Sequence, residues 1–153
     1  MLVSTDPEIP SQNLTYAYDG VGNRIYTISN GLRENYTTNN MNQYTQVRDT
    51  SYDYDWDGNR TVEEAVTGTT FYTYDDENRM LSATKGSNVW EYVYNAFGGR
   101  VAASENGEMA HFVIDPIGLG NVVGEYDDTG NLIAGYDHGA GLVRTIGPDA
   151  SLG

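Results

Sequence analysis

Tyr52-Asp53-Tyr54-Asp55-Trp56-Asp57-Gly58-Asn59-Arg60 decides how this chain folds. Two rings separated by one residue lie on the same face of a strand, because strand side chains alternate with period two. Tyrosine favours strands, and its hydroxyl reaches water or a backbone group from the far end of the ring. Asp55 then starts a turn, since a short carboxylate accepts hydrogen bonds from amides two residues on. Gly58 and Asn59 tolerate positive φ. Arg60 opens the returning strand, and the apolar Val62 follows.

The same frame recurs on both sides. Tyr16-Ala17-Tyr18-Asp19-Gly20-Val21-Gly22-Asn23-Arg24 comes before it. Tyr72-Thr73-Tyr74-Asp75-Asp76-Glu77-Asn78-Arg79 and Tyr92-Val93-Tyr94-Asn95-Ala96-Phe97-Gly98-Gly99-Arg100 come after it. Degenerate copies start at Tyr36 and Phe112, and fragments persist at Tyr126-Asp127 and Tyr136-Asp137. The first aromatics fall at 16, 36, 52, 72, 92 and 112, so the spacing is 20 except for the 16 between Tyr36 and Tyr52. A fixed period of this size marks a repeat architecture. A second turn signal lies midway: Asn30-Gly31, Gly68, Gly86 and Asn106-Gly107. Asn-Gly is the strongest short hairpin signal. Each unit therefore holds two strands and two turns, with about six residues per strand. The spacing predicts an all-β fold, an antiparallel meander of roughly 12 to 16 strands. Val62-Glu63-Glu64-Ala65-Val66 is the one helix-like run, and it is too short to stand alone. The organisation expected is a lead-in over 1–13, a repeat sheet over 14–146 and a frayed tail over 147–153.

Composition narrows the function. The 153 residues carry 22 Asp+Glu against 8 Lys+Arg, a formal charge of −14. Phosphate contacts need positive charge, so no nucleic-acid partner is expected. No apolar run approaches the ~20 residues of a membrane span, so no membrane insertion is expected. There is no cysteine, which excludes disulfides and thiolate metal sites. The 13 tyrosines argue against the disorder that such charge would otherwise suggest. Met1 to Ser11 has neither the basic start nor the apolar middle of a signal peptide.

Tyr-x-Tyr-Asp-x-x-Gly-Asn-Arg resembles the tyrosine-aspartate (YD, or RHS) repeat of bacterial toxin shells and animal teneurins. The likeness runs from about Leu14 to Leu142. It implies β-hairpins strung into a curled or spiralling sheet, a fragment of a shell able to associate head to tail. The repeat positions it marks are Tyr16, Tyr18, Asp19 and Arg24; Tyr52, Tyr54, Asp55 and Arg60; Tyr72, Tyr74, Asp75 and Arg79; and Tyr92, Tyr94, Asn95 and Arg100. It also implies an extracellular or cell-surface location. The partners implied are neighbouring repeats, copies of the chain itself, an encapsulated polypeptide or a surface glycan. Asp115-Pro116-Ile117-Gly118-Leu119 matches the short motif that ends the self-cleaving core of toxin members. The in-phase Phe112 makes Asp115 a turn aspartate, and the rest of that core is missing.

Site chemistry is sparse. Asp53, Asp55 and Asp57, with Gly58 and then Glu64 after five intervening residues, fit the spacing of a calcium loop. Three alternating acids suit a hard cation, yet the flanks read as strands and an EF-hand needs helices. Calcium at Asp53, Asp55, Asp57 and Glu64 is the one metal or cofactor expectation. No catalytic or cofactor-binding residue is expected: His111 and His138 stand alone, and no Gly-x-Ser-x-Gly is present. Gly118 to Gly124 has dinucleotide-like glycine spacing but leads into no helix. Trp56 and Trp90 are candidate exposed platforms, and the arginines are expected to pair with aspartates of adjacent turns. The reading is a noncatalytic structural module and not an enzyme. Its alternatives are an adhesion or carbohydrate-binding module and calcium-dependent binding through the Asp53–Glu64 loop.

Overall fold

The computed structural model describes residues 2–5, 13–115, 117, 120–138 and 143–146. The fold is all-β, built of antiparallel hairpins, with no helix among the described residues. It divides into two compact units, Met1–Phe71 and Tyr72–Gly153.

The first unit holds β1 (Leu2–Thr5), β2 (Asn13–Tyr18), β3 (Arg24–Ser29), β4 (Leu32–Thr38), β5 (Tyr44–Val47), β6 (Thr50–Tyr54), β7 (Arg60–Ala65) and the start of β8 (Gly68–Tyr74). Each strand pairs antiparallel with the next in sequence. The second unit holds the end of β8, then β9 (Met80–Lys85), β10 (Asn88–Tyr94), β11 (Arg100–Glu105), β12 (Glu108–Ile114), β13 (Val122–Asp127), β14 (Leu132–His138) and β15 (Val143–Ile146). From β9 to β15 the pairing is again antiparallel and sequential. The 1–13 lead-in contributes a strand, β1, and the 147–153 tail lies outside the described residues. The helix-like run is strand in β7 followed by a turn at Val66-Thr67, and Gly68 opens β8 rather than centring that turn.

Two turn types alternate. One is a tight two-residue turn, as at Asn30-Gly31 between the pair Ser29 and Leu32, with φ of 51° and 84°. Positive φ at both positions matches the right-handed twist of the strands it joins. The other is the Tyr-Asp turn. There the Asp19 amide donates to the Asn23 carbonyl at 2.8 Å, and the Gly22 amide to the Asp19 carbonyl at 3.3 Å. The same pair of bonds recurs at Asp55, Asp75, Asn95 and Asp127. Asp115, as expected, is a turn residue too: its amide donates to Asn121 at 2.9 Å.

The register slips at most of these turns. Ala17 faces Tyr26 while Tyr18 faces Arg24, so Ile25 is an extra residue on the return strand. Thr61, Val101, Val123 and Ile133 occupy the same place in their hairpins. Such a bulge bends its strand and increases the local twist.

Buried side chains among the described residues are small: Ala83, Ala102, Ala134, Thr27, Thr70 and Ser104. The tyrosines other than the exposed Tyr18 stand half-buried; in β8, Phe71 and Thr73 are exposed while Tyr72 and Tyr74 are not. Cohesion therefore comes from cross-strand pairs and turns more than from an enclosed apolar centre.

Candidate functional site

The best-formed concavity near exposed aromatic chemistry lies in the first unit, between two neighbouring turns. One is Asn39 to Gln43, joining β4 and β5; the other is Asp55 to Asn59, joining β6 and β7. The groove encloses about 330 Å³, and Met41, Asp53, Tyr54, Asp55 and Trp56 are among its lining residues.

Its walls are fixed by polar contacts. Asp55 Oδ1 accepts from the Asp57 amide at 3.0 Å and the Asn59 amide at 2.8 Å, and Oδ2 accepts from Asn59 Nδ2 at 3.0 Å. These donors, the Asn59 side chain foremost, hold the Asp55 carboxyl below its ordinary range. Asn39 organises its turn with a neutral oxygen, accepting from the amides of Met41 at 2.9 Å and Gln43 at 3.1 Å. Gln43 Nε2 donates to the Gly58 carbonyl at 3.1 Å and ties the two turns together. Tyr54 Oη donates to the Tyr44 carbonyl at 2.7 Å beneath them.

Gly58 is critical to this arrangement. Its φ is +88°, and a Cβ there would lie 3.1 Å from Gln43 Nε2. The left-handed backbone alone costs a side chain about 1–2 kcal/mol. Gly98→Ala, strained alike but with open space around its Cβ, is therefore expected to lower stability by about that amount, and Gly58→Ala by more. Equal thermal shifts in the two variants would show that the Gln43 contact has no weight.

The four acids of the calcium spacing are not gathered. Asp55 spends its oxygens on the turn, and Glu64 accepts from Ser51 Oγ at 3.1 Å. Asp53 and Asp57 are exposed. No group of three or more acidic, histidine or cysteine side chains among the described residues is placed to hold a metal ion. Bonds to the turn amides use the lone pairs that a cation would need.

The arginines depart from expectation. Arg24 lies between the rings of Tyr16 and Tyr36, at 5.1 and 5.4 Å from their centroids. Arg100 lies similarly between Tyr92 and Phe112 at 5.3 and 5.8 Å. Arg60 is over Tyr52, and Arg79 over Tyr94. Arg60 also pairs with Glu63 at 2.9 Å. Arg79 bonds a turn aspartate, Asp75 of its own turn, at 2.6 Å. The guanidinium is a flat cation on a long stem that can lie over a ring face, and that of Arg79 also donates to the Asn95 carbonyl of the next turn at 3.5 Å. The two tryptophans also differ: Trp56 is fully exposed, whereas Trp90 is half-buried opposite Ala83 and Glu105. His111 is exposed opposite Ala102 and Tyr126, and the His138 ring is 2.6 Å from the Val122 carbonyl.

The groove itself is absent from the sequence reading. Its signal was present: Met41 and Trp56 are apolar at turn tips, and their turns belong to the two frames spaced by 16.

No family model matches the chain. The tRNA nuclease WapA of Bacillus subtilis (strain 168) is 35% identical over 133 residues, which is 82% of this chain and 6% of that protein. The tRNA3(Ser)-specific nuclease WapA of Bacillus spizizenii is 34% identical over the same share of each. The tRNA(Glu)-specific nuclease WapA of Bacillus subtilis subsp. natto is 35% identical over 69% of this chain and 4% of its own length. The chain thus spans about 6% of the first two curated relatives.

These findings correct three expectations. The chain's resemblance led to the YD-repeat family, but the comparisons return proteins named as WapA nucleases. The reading as a noncatalytic structural module is overturned by the same names, and so is the expectation of no enzyme. The physical reason is general: a repeated turn specifies a backbone, and a backbone does not specify an activity.

Proposed function

We propose that this chain is a segment of a toxin-associated tRNA nuclease of the WapA kind, and that the intact protein cleaves tRNA. The supporting observation is 35% identity across 82% of the chain to a protein bearing that name. The charge of the segment bears on how such a protein would work. Holding tRNA requires cations against phosphate, and this segment has 22 acidic residues to 8 basic ones. In this reading the tRNA is gripped by basic parts of the intact protein, and the acidic hairpins lie where they do not repel its phosphates.

The test is a cleavage assay with the intact gene product and a total tRNA pool, read on denaturing gels and by sequencing of the ends. Discrete fragments from one tRNA or a few are expected. A pool left whole under conditions where the protein is folded would overturn the proposal.

A further inference from the structure

We propose that the groove beside Trp56 docks a lysine- or arginine-bearing polypeptide segment. The proposal stands on the geometry of the first unit and is independent of the nuclease reading. Trp56 is 100% exposed, and Met41 across the groove is 62% exposed. Large apolar side chains held in water at the mouth of a 330 Å³ cleft are surface that a partner could cover. The cleft does not collapse to cover them, because Gln43 ties the Asn39 turn to Gly58 at 3.1 Å and Tyr54 ties β6 to β5 at 2.7 Å. A preformed site spares a ligand the cost of ordering it.

Charge selects the occupant. The exposed carboxylate of Asp53 lines the groove and that of Asp57 follows Trp56 directly in sequence, and no ion pair engages either among the described residues. Arg60, which opens β7, lies over Tyr52 and pairs with Glu63. An indole face attracts an organic cation through its quadrupole, and tryptophan is the strongest of the three rings in this role. The stem of lysine or arginine is apolar and its head is charged. Such a side chain matches both halves of the cleft: Met41 and the indole for the stem, the carboxylates for the head. An inorganic cation would gain nothing from Met41, and an acidic segment would meet a chain of −14.

The experiment is calorimetric titration of the whole chain with penta-lysine amide at about 50 mM salt, where surface electrostatics is weakly screened. Three variants accompany it: Trp56→Ala, Asp53→Asn with Asp57→Asn, and a control, Glu105→Gln with Asp128→Asn. The control removes the same charge from exposed positions of the second unit. Circular dichroism confirms that each is folded. Trp56→Ala leaves net charge unchanged and is expected to weaken binding about tenfold. The Asp53/Asp57 variant weakens it comparably, and the control leaves it within about twofold. Three outcomes would overturn the proposal: no binding of penta-lysine by the unmodified chain, unchanged affinity in Trp56→Ala, or equal losses in the two charge variants.

Discussion

Tyr94→Ala is expected to destabilise the second unit by roughly 2–4 kcal/mol. Tyr94 ends β10, half-buried, and faces Arg100 across the bulge. Its hydroxyl donates to the Met80 carbonyl at 2.9 Å, and the Arg79 guanidinium lies 5.1 Å from its ring centroid. One side chain thus meets β9, its own turn's neighbour and the return strand. Alanine removes the ring and leaves the Met80 carbonyl without its donor. Phenylalanine keeps the ring and loses only the hydrogen bond, so Tyr94→Phe is expected to cost about 1 kcal/mol. Urea unfolding of the three proteins measures both steps. A Tyr94→Ala midpoint equal to wild type would show that these rings decorate the sheet and do not hold it.

Acid is expected to unfold the hairpins over a window set by the turn aspartates. Asp127 Oδ1 accepts from the Asn131 amide at 2.7 Å and from Thr129 Oγ1 at 2.8 Å, and Oδ2 accepts from Asn131 Nδ2 at 2.9 Å. These donors, the Asn131 side chain first, lower its pKa from 3.8 to about 2. Asp19 and Asp55 are lowered chiefly by the side chains of Asn23 and Asn59. At Asp75 desolvation opposes the shift, but the Arg79 amide and guanidinium and the Glu77 amide outweigh it. A carboxyl whose folded pKa lies below its unfolded value stabilises the fold above the unfolded value, and that contribution disappears as pH falls through the folded value. Melting temperature should therefore hold down to about pH 4 and fall steeply towards pH 2. The molecule contains its own control. Asn95 accepts from the Phe97 and Gly99 amides at 2.9 Å each, so the turn requires an oxygen and not a charge. Replacing Asp19, Asp55, Asp75 and Asp127 together by asparagine should leave a folded chain whose melting varies little over that window. An acid transition unmoved by the four substitutions would assign it to other groups.

The hairpins were legible because both of their turns are written in residues with one conformational use each. Asn30-Gly31 can hardly close anything but a two-residue turn, and the Asp19 carboxylate accepts from the amides of Val21 and Asn23 and from the Asn23 side chain in its own loop. The bulges were not legible, because Ile25 and Val123 read as ordinary strand residues and the slip arises from the pairing, not from their chemistry. The arginine positions were misread for a related reason. Sequence shows that Arg24 and Asp19 recur together, but only three dimensions show that two rings flank the guanidinium. For the groove, the spacing placed Asp53, Asp55 and Asp57 near one another and hid the fact that Asp55 faces its own backbone. Activity was the least legible, since the repeat carries fold information and nothing that names a reaction.

The short hairpin of β5 and β6 shows how such a chain can change length. It closes at Arg48-Asp49, between Val47 and Thr50, a turn of two residues like Asn30-Gly31 but with positive φ at Arg48 alone, 54°. Opposite residues of an antiparallel pair alternate between mutually bonded and unbonded, and a two-residue turn closes on a bonded pair. Trimming one residue from each strand would put the wrong kind of pair beneath the turn. Trimming two from each restores the right one, which is the difference between the 16 from Tyr36 to Tyr52 and the usual 20. A hairpin of this kind can thus lose four residues at once and keep both its turn and the register of the strands on either side.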